Sequence, residues 1–385
     1  MSNWFKWSSK GAGFAALSVC ASSAFAAAPS ADEMWEIIQQ QQETIDSMGS
    51  APASTSATHM GGYGELHINH LNNDGPKGDL DSADLHRLVL FVSHEFSDSV
   101  RFFTEIEWEH SIAGQGQVGE TEVEQAYIEF DLSPKYSAKA GVFLVPVGLM
   151  NETHEPDTFY GVERNSVEKN VIPSTWWEGG AAISGEIAPG FSGDFAIHSG
   201  LFIDVGNSKF KIRDGRQKVG KAKADAYAYT GRVVYRGMPG LELGGTLQLQ
   251  TDVAQDTYSG TVPAMLVEVH ADYKKGPLGL KALYATWDID QAIESASGAA
   301  GSSEQEGLLL EGSWKLTPKV GVFARVSSWD NQAASSNDSE YKQTDIGMNY
   351  WPHPQVALKV DYQVQDVPAG KDEYKGFNLG VGWSF

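Results

Sequence analysis

EYKGFNLGVGWSF, residues 373–385, is the stretch that decides the fold. Phe377, Leu379, Val381, Trp383 and Phe385 are apolar at every second position, with Asn378, Gly380, Gly382 and Ser384 between them. A period of two gives a strand one apolar and one polar face. On the edge of a soluble sheet such a face invites aggregation. The same strand carries no such liability when it is paired on both sides in a closed barrel and turns its apolar face to lipid. The stretch therefore predicts the last strand of a transmembrane β-barrel, with Trp383 and Phe385 as lipid-side anchors.

The same period recurs upstream. From residue 60 onward sixteen strand-like segments can be read, including 84–96, 100–111, 122–132, 191–203, 225–236 and 355–365. Val356, Leu358, Val360, Tyr362 and Val364 alternate with Lys359, Asp361, Gln363 and Gln365. Leu308, Leu310 and Trp314 alternate with Glu311 and Lys315, and Ala126, Ile128 and Phe130 with Gln125, Glu129 and Asp131. Short connections such as Ser133-Pro134-Lys135 and Ala188-Pro189-Gly190 have turn chemistry. They alternate with long ones, of which 146–175 and 207–224 are the longest. Short turns on one side and long loops on the other is the asymmetry of a bacterial outer-membrane barrel, whose wide interior is polar. The expected fold is all-β: a 16-stranded antiparallel transmembrane β-barrel over residues 59–385, preceded by a short N-terminal periplasmic helix.

Residues 1–26 read as a signal peptide, with Lys6 and Lys10 at the start, an apolar run from Gly11 to Val19, and the small-x-small cleavage site Ala24-Phe25-Ala26. Cys20, the only cysteine, lies inside it, so an exported chain would have no disulfide to form. Residues 27–58 read as a helix followed by a linker. Met34, Ile38, Gln41, Ile45 and Met48 have coiled-coil spacing. About two heptads do not hold together alone, which leaves either a helix that joins copies within an assembly or a frayed extension. No later run of about 18 apolar residues could form a spanning helix. The mean hydropathy of −0.30 is compatible with a barrel, in which only alternate residues face lipid. The formal net charge of −22 argues against a nucleic-acid partner.

Three groups of residues could carry function. On the inward faces, Glu105, Glu107 and Glu109 form an acidic row, and Arg87, Arg232, Arg236 and Arg325 are basic wall candidates. A water-filled channel with both signs on its wall filters solutes by field and width. The second group is the segment 146–175, whose candidates for the narrowest point are Glu152, Glu163, Arg164, Glu168 and Lys169. About 30 residues without regular structure are usually functional or disordered. The apolar content of this segment (Leu149, Met150, Phe159, Val162, Val171, Ile172) argues for packing, either inside the lumen or as a cap outside. The third group is the basic loop Lys209, Lys211, Arg213, Arg216, Lys218, Lys221 and Lys223. It could concentrate anions at a pore mouth, or contact lipopolysaccharide phosphates or a neighbouring subunit. The ten histidines show no HExxH or other metal-ligand spacing, and no GxSxG occurs. Neither a cofactor nor a metal nor a catalytic residue is expected.

GGYGELHINHL (residues 61–71), AGVFLVPVGLMNETHEPDTFYGVERN (140–165) and NVIPSTWWEGG (170–180) resemble the phosphate-selective porin O and P family of Gram-negative bacteria, over essentially the whole mature chain. The terminal Trp383 and Phe385 resemble the signal read by the barrel-assembly machinery. The resemblance implies a 16-stranded outer-membrane barrel, usually a homotrimer, with the third long loop folded into the lumen. In the phosphate-selective members, arginine rows and a lysine cluster draw anions in. This chain has eight Arg in all, and its presumed constriction loop carries only Arg164 and Lys169, beside Glu163 and Glu168. The function expected is passive diffusion of small hydrophilic solutes or ions across the outer membrane. An anion- or phosphate-selective channel is the alternative, followed by a barrel adhesin or barrel enzyme.

Overall fold

The computed structural model describes residues 57–204, 211–297 and 299–385. The signal-peptide and periplasmic-helix expectations, and Lys209 of the basic loop, lie outside these residues. Sixteen strands run in chain order: β1 Thr58–Asn73, β2 Leu80–Ser97, β3 Val100–Glu109, β4 Thr121–Ser133, β5 Tyr136–Leu144, β6 Trp177–Ala188, β7 Phe191–His198 and β8 Ala228–Met238. They continue as β9 Leu241–Gln250, β10 Ala264–Lys275, β11 Leu278–Ile289, β12 Glu304–Thr317, β13 Val320–Asp330, β14 Tyr341–His353, β15 Val356–Asp366 and β16 Tyr374–Ser384. Each strand pairs antiparallel with its sequence neighbours, and β16 pairs with β1 to close the barrel. At the closure Leu66 faces Val381 and Ile68 faces Leu379. Gly62 N–H donates to the Phe385 carbonyl at 3.0 Å, and Phe385 N–H returns the bond at 2.9 Å. Among the described residues no sheet edge is left unpaired, as a barrel in lipid requires.

The two ends of the barrel differ. Seven hairpins close at one end through two-residue turns, and the eight other connections, at the opposite end, run from residues 74–79 up to residues 145–176. We number these long loops L1 to L8 in chain order, so that L3 is 145–176 and L4 is 199–227.

The expected alternation holds along the strands. Leu308, Leu310, Trp314, Leu358, Tyr362 and Phe377 are exposed on the outer face. Glu311, Lys359, Asp361, Gln363 and Asn378 are buried on the inner one. Asn378 joins three strands across the closure: its Nδ2 donates to Asp361 Oδ1 (2.8 Å) and Gln363 Oε1 (2.9 Å), and its Oδ1 accepts from Asn69 Nδ2 (2.8 Å).

Two features depart from the sequence reading. Period two extends a strand to residue 203, but β7 stops at His198. Leu201 and Ile203 alternate because they pack into a loop core: Ile203 N–H bonds the Val253 carbonyl (2.8 Å) and Phe202 N–H the Gly215 carbonyl (2.8 Å). The interior is also not polar throughout. Leu201, Ile203, Val167, Val171, Ile172 and Trp176 from the loops pack with Leu266, Leu283, Trp287, Leu309 and Trp329 from the inward faces of β10–β13. One side of the barrel is therefore filled by an apolar core.

Candidate functional site

L3 is built as a compact unit. Asn151 ties its two ends together: Nδ2 donates to the carbonyls of Val145 (2.7 Å) and Trp176 (2.9 Å), and Oδ1 accepts from Trp176 N–H (2.8 Å). Glu168, on the one-turn helix α1 (Val167–Asn170), braces the loop. Its Oε1 accepts from the N–H groups of Leu149 and Met150, both at 2.7 Å, and its Oε2 from Asn165 Nδ2 at 2.7 Å. Burial pushes the Glu168 carboxyl up even against those three donors.

The loop then runs along the inward faces of β13 to β16 and β1. Pro156 lies against Gly382, and Val162 against Gly380. Val162 N–H donates to Asp361 Oδ2 (2.7 Å), and Asn349 Nδ2 to the Phe159 carbonyl (3.0 Å). Lys359 Nζ sits 3.6 Å from the centre of the Phe159 ring, a cation–π contact. Arg325 is 2 % exposed and clamps the loop to β13: Nη2 donates to the Glu163 carbonyl (3.1 Å) while Nε pairs with Asp345 Oδ2 (2.9 Å). Glu163 reaches across to β1, where its Oε1 lies 3.0 Å from His67 Nδ1. Burial alone would push the Glu163 carboxyl up. The bond to His67, with the charges of His67 and Lys169 added, outweighs it and holds the carboxyl well below the ordinary range.

Between this loop and the wall of β1–β4 lies a cavity of about 200 Å³. The wall contributes Glu65, Glu107, Glu109, Glu122 and Glu124, with Arg87, His67 and His86 among them. L3 contributes Glu163, Arg164 and Lys169, and L4 contributes Arg213, Arg216 and Lys218. The cations divide into two kinds. Arg87 is spent on carboxylates, with Nε 2.7 Å from Glu65 Oε1 and Nη1 3.2 Å from Glu107 Oε2. Lys218 pairs with Glu122 and, at 2.8 Å, with Glu120; burial opposes its charge, but the two carboxylates hold its pKa above the ordinary value.

Arg164, Arg213 and Arg216 instead rest on neutral acceptors. Arg164 Nη1 donates to Thr175 Oγ1 (2.7 Å), Arg213 Nη1 to the Lys169 carbonyl (3.0 Å), and Arg216 Nη1 to the carbonyls of Ser174 (2.9 Å) and Thr175 (2.7 Å). Among the described residues none of these three forms an ion pair. Burial pushes Lys169 and Arg216 down, and Arg213 to about 10.

The remaining sequence candidates lie elsewhere. Glu152 pairs with Arg232 Nη1 (2.6 Å), and Arg232 Nε with Asp194 (2.8 Å), tying the start of L3 to β7 and β8. Arg236 is at the short-turn rim beside Glu242 (2.6 Å). Glu105 is buried beneath L3, 1 % exposed. Lys211, Lys221 and Lys223 are exposed.

The sequence reading missed Glu65, His67, His86, Glu122 and Glu124. The register shifts where Glu105 pairs Gln125 but Ile106 pairs Val123, so the bulge turns Glu122 and Glu124 inward. A strict period of two counted from Gln125 puts both on the lipid side. A second bulge, between Glu65 and Leu66, brings His86 and Arg87 to the same wall. Neither bulge has a turn residue to mark it.

No family model matches the chain. An uncharacterized protein of Aquifex aeolicus (strain VF5) is 31% identical over 352 residues, covering 85% of this chain and 79% of that protein. Among solved structures, the anion-selective porin from Comamonas acidovorans aligns with a TM-score of 0.62 at 13% identity, covering 85% of this chain and 99% of that one. Pseudomonas putida OprB aligns at 0.57 and 12% identity (91% and 97% covered), and the outer membrane channel DcaP of Acinetobacter baumannii at 0.57 and 14% (85% and 97%). At these identities the likeness is one of fold. The chain belongs to the family of the Aquifex aeolicus protein, and its barrel has the fold of outer-membrane porins.

Proposed function

We propose that this protein is an outer-membrane porin through which small hydrophilic solutes or ions pass by diffusion. The observation that carries the reading is the placement of L3. It lies on the inward faces of β13–β16 and β1, and what is left beside β1–β4 is a cavity of about 200 Å³ lined by charge of both signs, which we read as the passage. Acidic side chains on the wall and basic ones on the loops set up a field across the passage that acts on polar solutes and favours hydrated over apolar ones. Export through a cleaved signal peptide, assembly by the barrel machinery reading Phe385, lipopolysaccharide contacts by the exposed Lys211, Lys221 and Lys223, and a homotrimeric state complete the reading. Transport needs no catalytic residue or cofactor. Purified protein in a planar bilayer should give discrete conductance steps. A folded barrel without steps overturns the proposal.

A second reading, anion preference, is favoured by Arg164, Arg213 and Arg216. Among the described residues they form no ion pair, whereas Glu65, Glu107, Glu122 and Glu163 each have a cationic or imidazole partner. Six Arg and Lys side chains then balance six carboxylates around the cavity, although the whole chain is at −22. Phosphate would be one anion among several, held by guanidinium groups that suit its geometry. A KCl gradient tests this: a reversal potential on the cation side rejects it.

A further inference from the structure

His154 of L3 lies over the hairpin β3–β4, facing Glu105 and Glu124. Its Nε2 is 3.6 Å from Glu105 Oε1 and 3.8 Å from Glu124 Oε2, and the three atoms lie within 4.8 Å of one another. The residues are 4 %, 1 % and 1 % exposed, and none of these three atoms has a hydrogen-bond partner among the described residues. Buried polar atoms are nearly always partnered, and each exception calls for an explanation. The separations are too long for hydrogen bonds between the groups, so a proton shared between them does not satisfy these atoms.

The surrounding contacts fix the donor atoms. His154 Nδ1 lies 3.0 Å from the Asn151 carbonyl, which can only accept. This places a proton on Nδ1, so that the neutral imidazole presents the lone pair of Nε2 to the cluster. The other oxygen of Glu105 accepts from Gln125 Nε2 at 2.7 Å, which turns Oε1 toward His154. The Tyr63 ring stands edge-on to the imidazole at 5.9 Å between centroids and closes that side.

We propose that Glu105, Glu124 and His154 form a binding site for a divalent transition-metal ion of the zinc class. Bonds of about 2.0–2.2 Å from imidazole nitrogen and carboxylate oxygen to one centre, at tetrahedral to trigonal angles, place the donor atoms roughly 3.3–3.8 Å apart. Two carboxylates neutralise the dication. The imidazole nitrogen selects against magnesium and calcium, which take oxygen ligands. The Nδ1 bond to Asn151 is the outer-shell contact that ligating histidines usually make. Because His154 belongs to the loop and both glutamates to the wall, the ion would pin the start of L3 to β3 and β4. The site stands independently of whether the barrel conducts.

Cobalt(II) titration of the full-length protein in detergent, after stripping with a chelator, tests the assignment. We expect one Co²⁺ per chain, with visible ligand-field absorption that one equivalent of Zn²⁺ abolishes. Glu105→Gln and His154→Gln should each weaken binding by roughly tenfold or more. His94→Gln, at a residue whose Nδ1 meets Thr58 at the barrel rim, should leave it unchanged. Where His154→Gln does not fold, the isosteric Glu105→Gln carries the comparison, and the wild-type titration is decisive in either case. No stoichiometric uptake by the folded wild type overturns the site, as does uptake that the Glu105 and His154 variants leave intact.

Discussion

Gly382 and Pro156 touch so closely that a Cβ on the glycine would lie 2.5 Å from the Cβ of the proline. A proline ring cannot swing aside as the end of a flexible side chain would. The inward face of β16 carries glycine here because L3 is laid on it, and Gly380 makes the same room for Val162. Gly382→Leu should therefore lift Pro156 off the wall and toward the opposite side of the lumen. Overpacking of this kind costs about 1–3 kcal/mol, which a barrel tolerates. The expected outcome is a folded, heat-modifiable barrel with lower single-channel conductance. Wild-type conductance in that variant places the loop off this wall.

The terminal strand also shows how far the sequence could be read. The apolar set Phe377, Leu379, Val381, Trp383 and Phe385 suffices for a lipid-facing strand, and the turn residues suffice to count sixteen strands. Gly380 and Gly382 read only as small residues between them. Their contact with a loop more than 200 positions away leaves no local periodicity. Glu122 and Glu124 were hidden for a different reason: the bulge at Gln125 resets the phase of β4 without a glycine or proline to announce it. Leu201 and Ile203 misled because a loop packed on an apolar core can alternate as a strand does. The basic loop was legible as charge, but its division into inward Arg213, Arg216 and Lys218 and exposed Lys211, Lys221 and Lys223 depends on where the chain turns back, around Ile212–Gly215.

Arg325 is the hub between wall and loop. Its guanidinium lies 2.9 Å from Asp345 and 3.7 Å from Glu311, and also holds the carbonyls of Tyr160 and Glu163. Arg325→Met would leave two buried carboxylates uncompensated, at about 3–5 kcal/mol. The temperature at which the folded form disappears on an unboiled gel should drop clearly. Arg236→Met, at a rim pair whose arginine side chain is 59% exposed, should barely move it. Equal shifts for the two would reject a clamp at Arg325.

Glu163 makes the seat of L3 resistant to acid. The His67 bond depresses its folded-state pKa, so its stabilising effect is complete above the unfolded value near 4.3 and is lost only as pH falls through the lower folded value. Lowering the pH from 7 to about 4.5, still above that unfolded value, should therefore leave the Glu163 seat in place. Glu163→Gln removes the charge at every pH and should give noisy, flickering current already at pH 7. Wild-type flicker that sets in across the ordinary carboxylate range would show that another group holds the loop.

Arg164 and Arg216 set the expected ion preference. Arg164 Nε and Nη2 and Arg216 Nε are buried without partners among the described residues, beside a passage whose wall acids mostly have theirs. Replacing either arginine by glutamate changes the local charge by two units without touching a strand. Arg164→Glu combined with Arg216→Glu should move the reversal potential in a KCl gradient from the anion side to the cation side, with a smaller change in total conductance. The same pair of changes at the exposed Lys221 and Lys223 should shift the potential far less, because charges beyond a Debye length of about 8–10 Å are screened. A reversal potential that responds equally to both pairs would move the selectivity filter from L3 and the inner part of L4 out to the pore mouth.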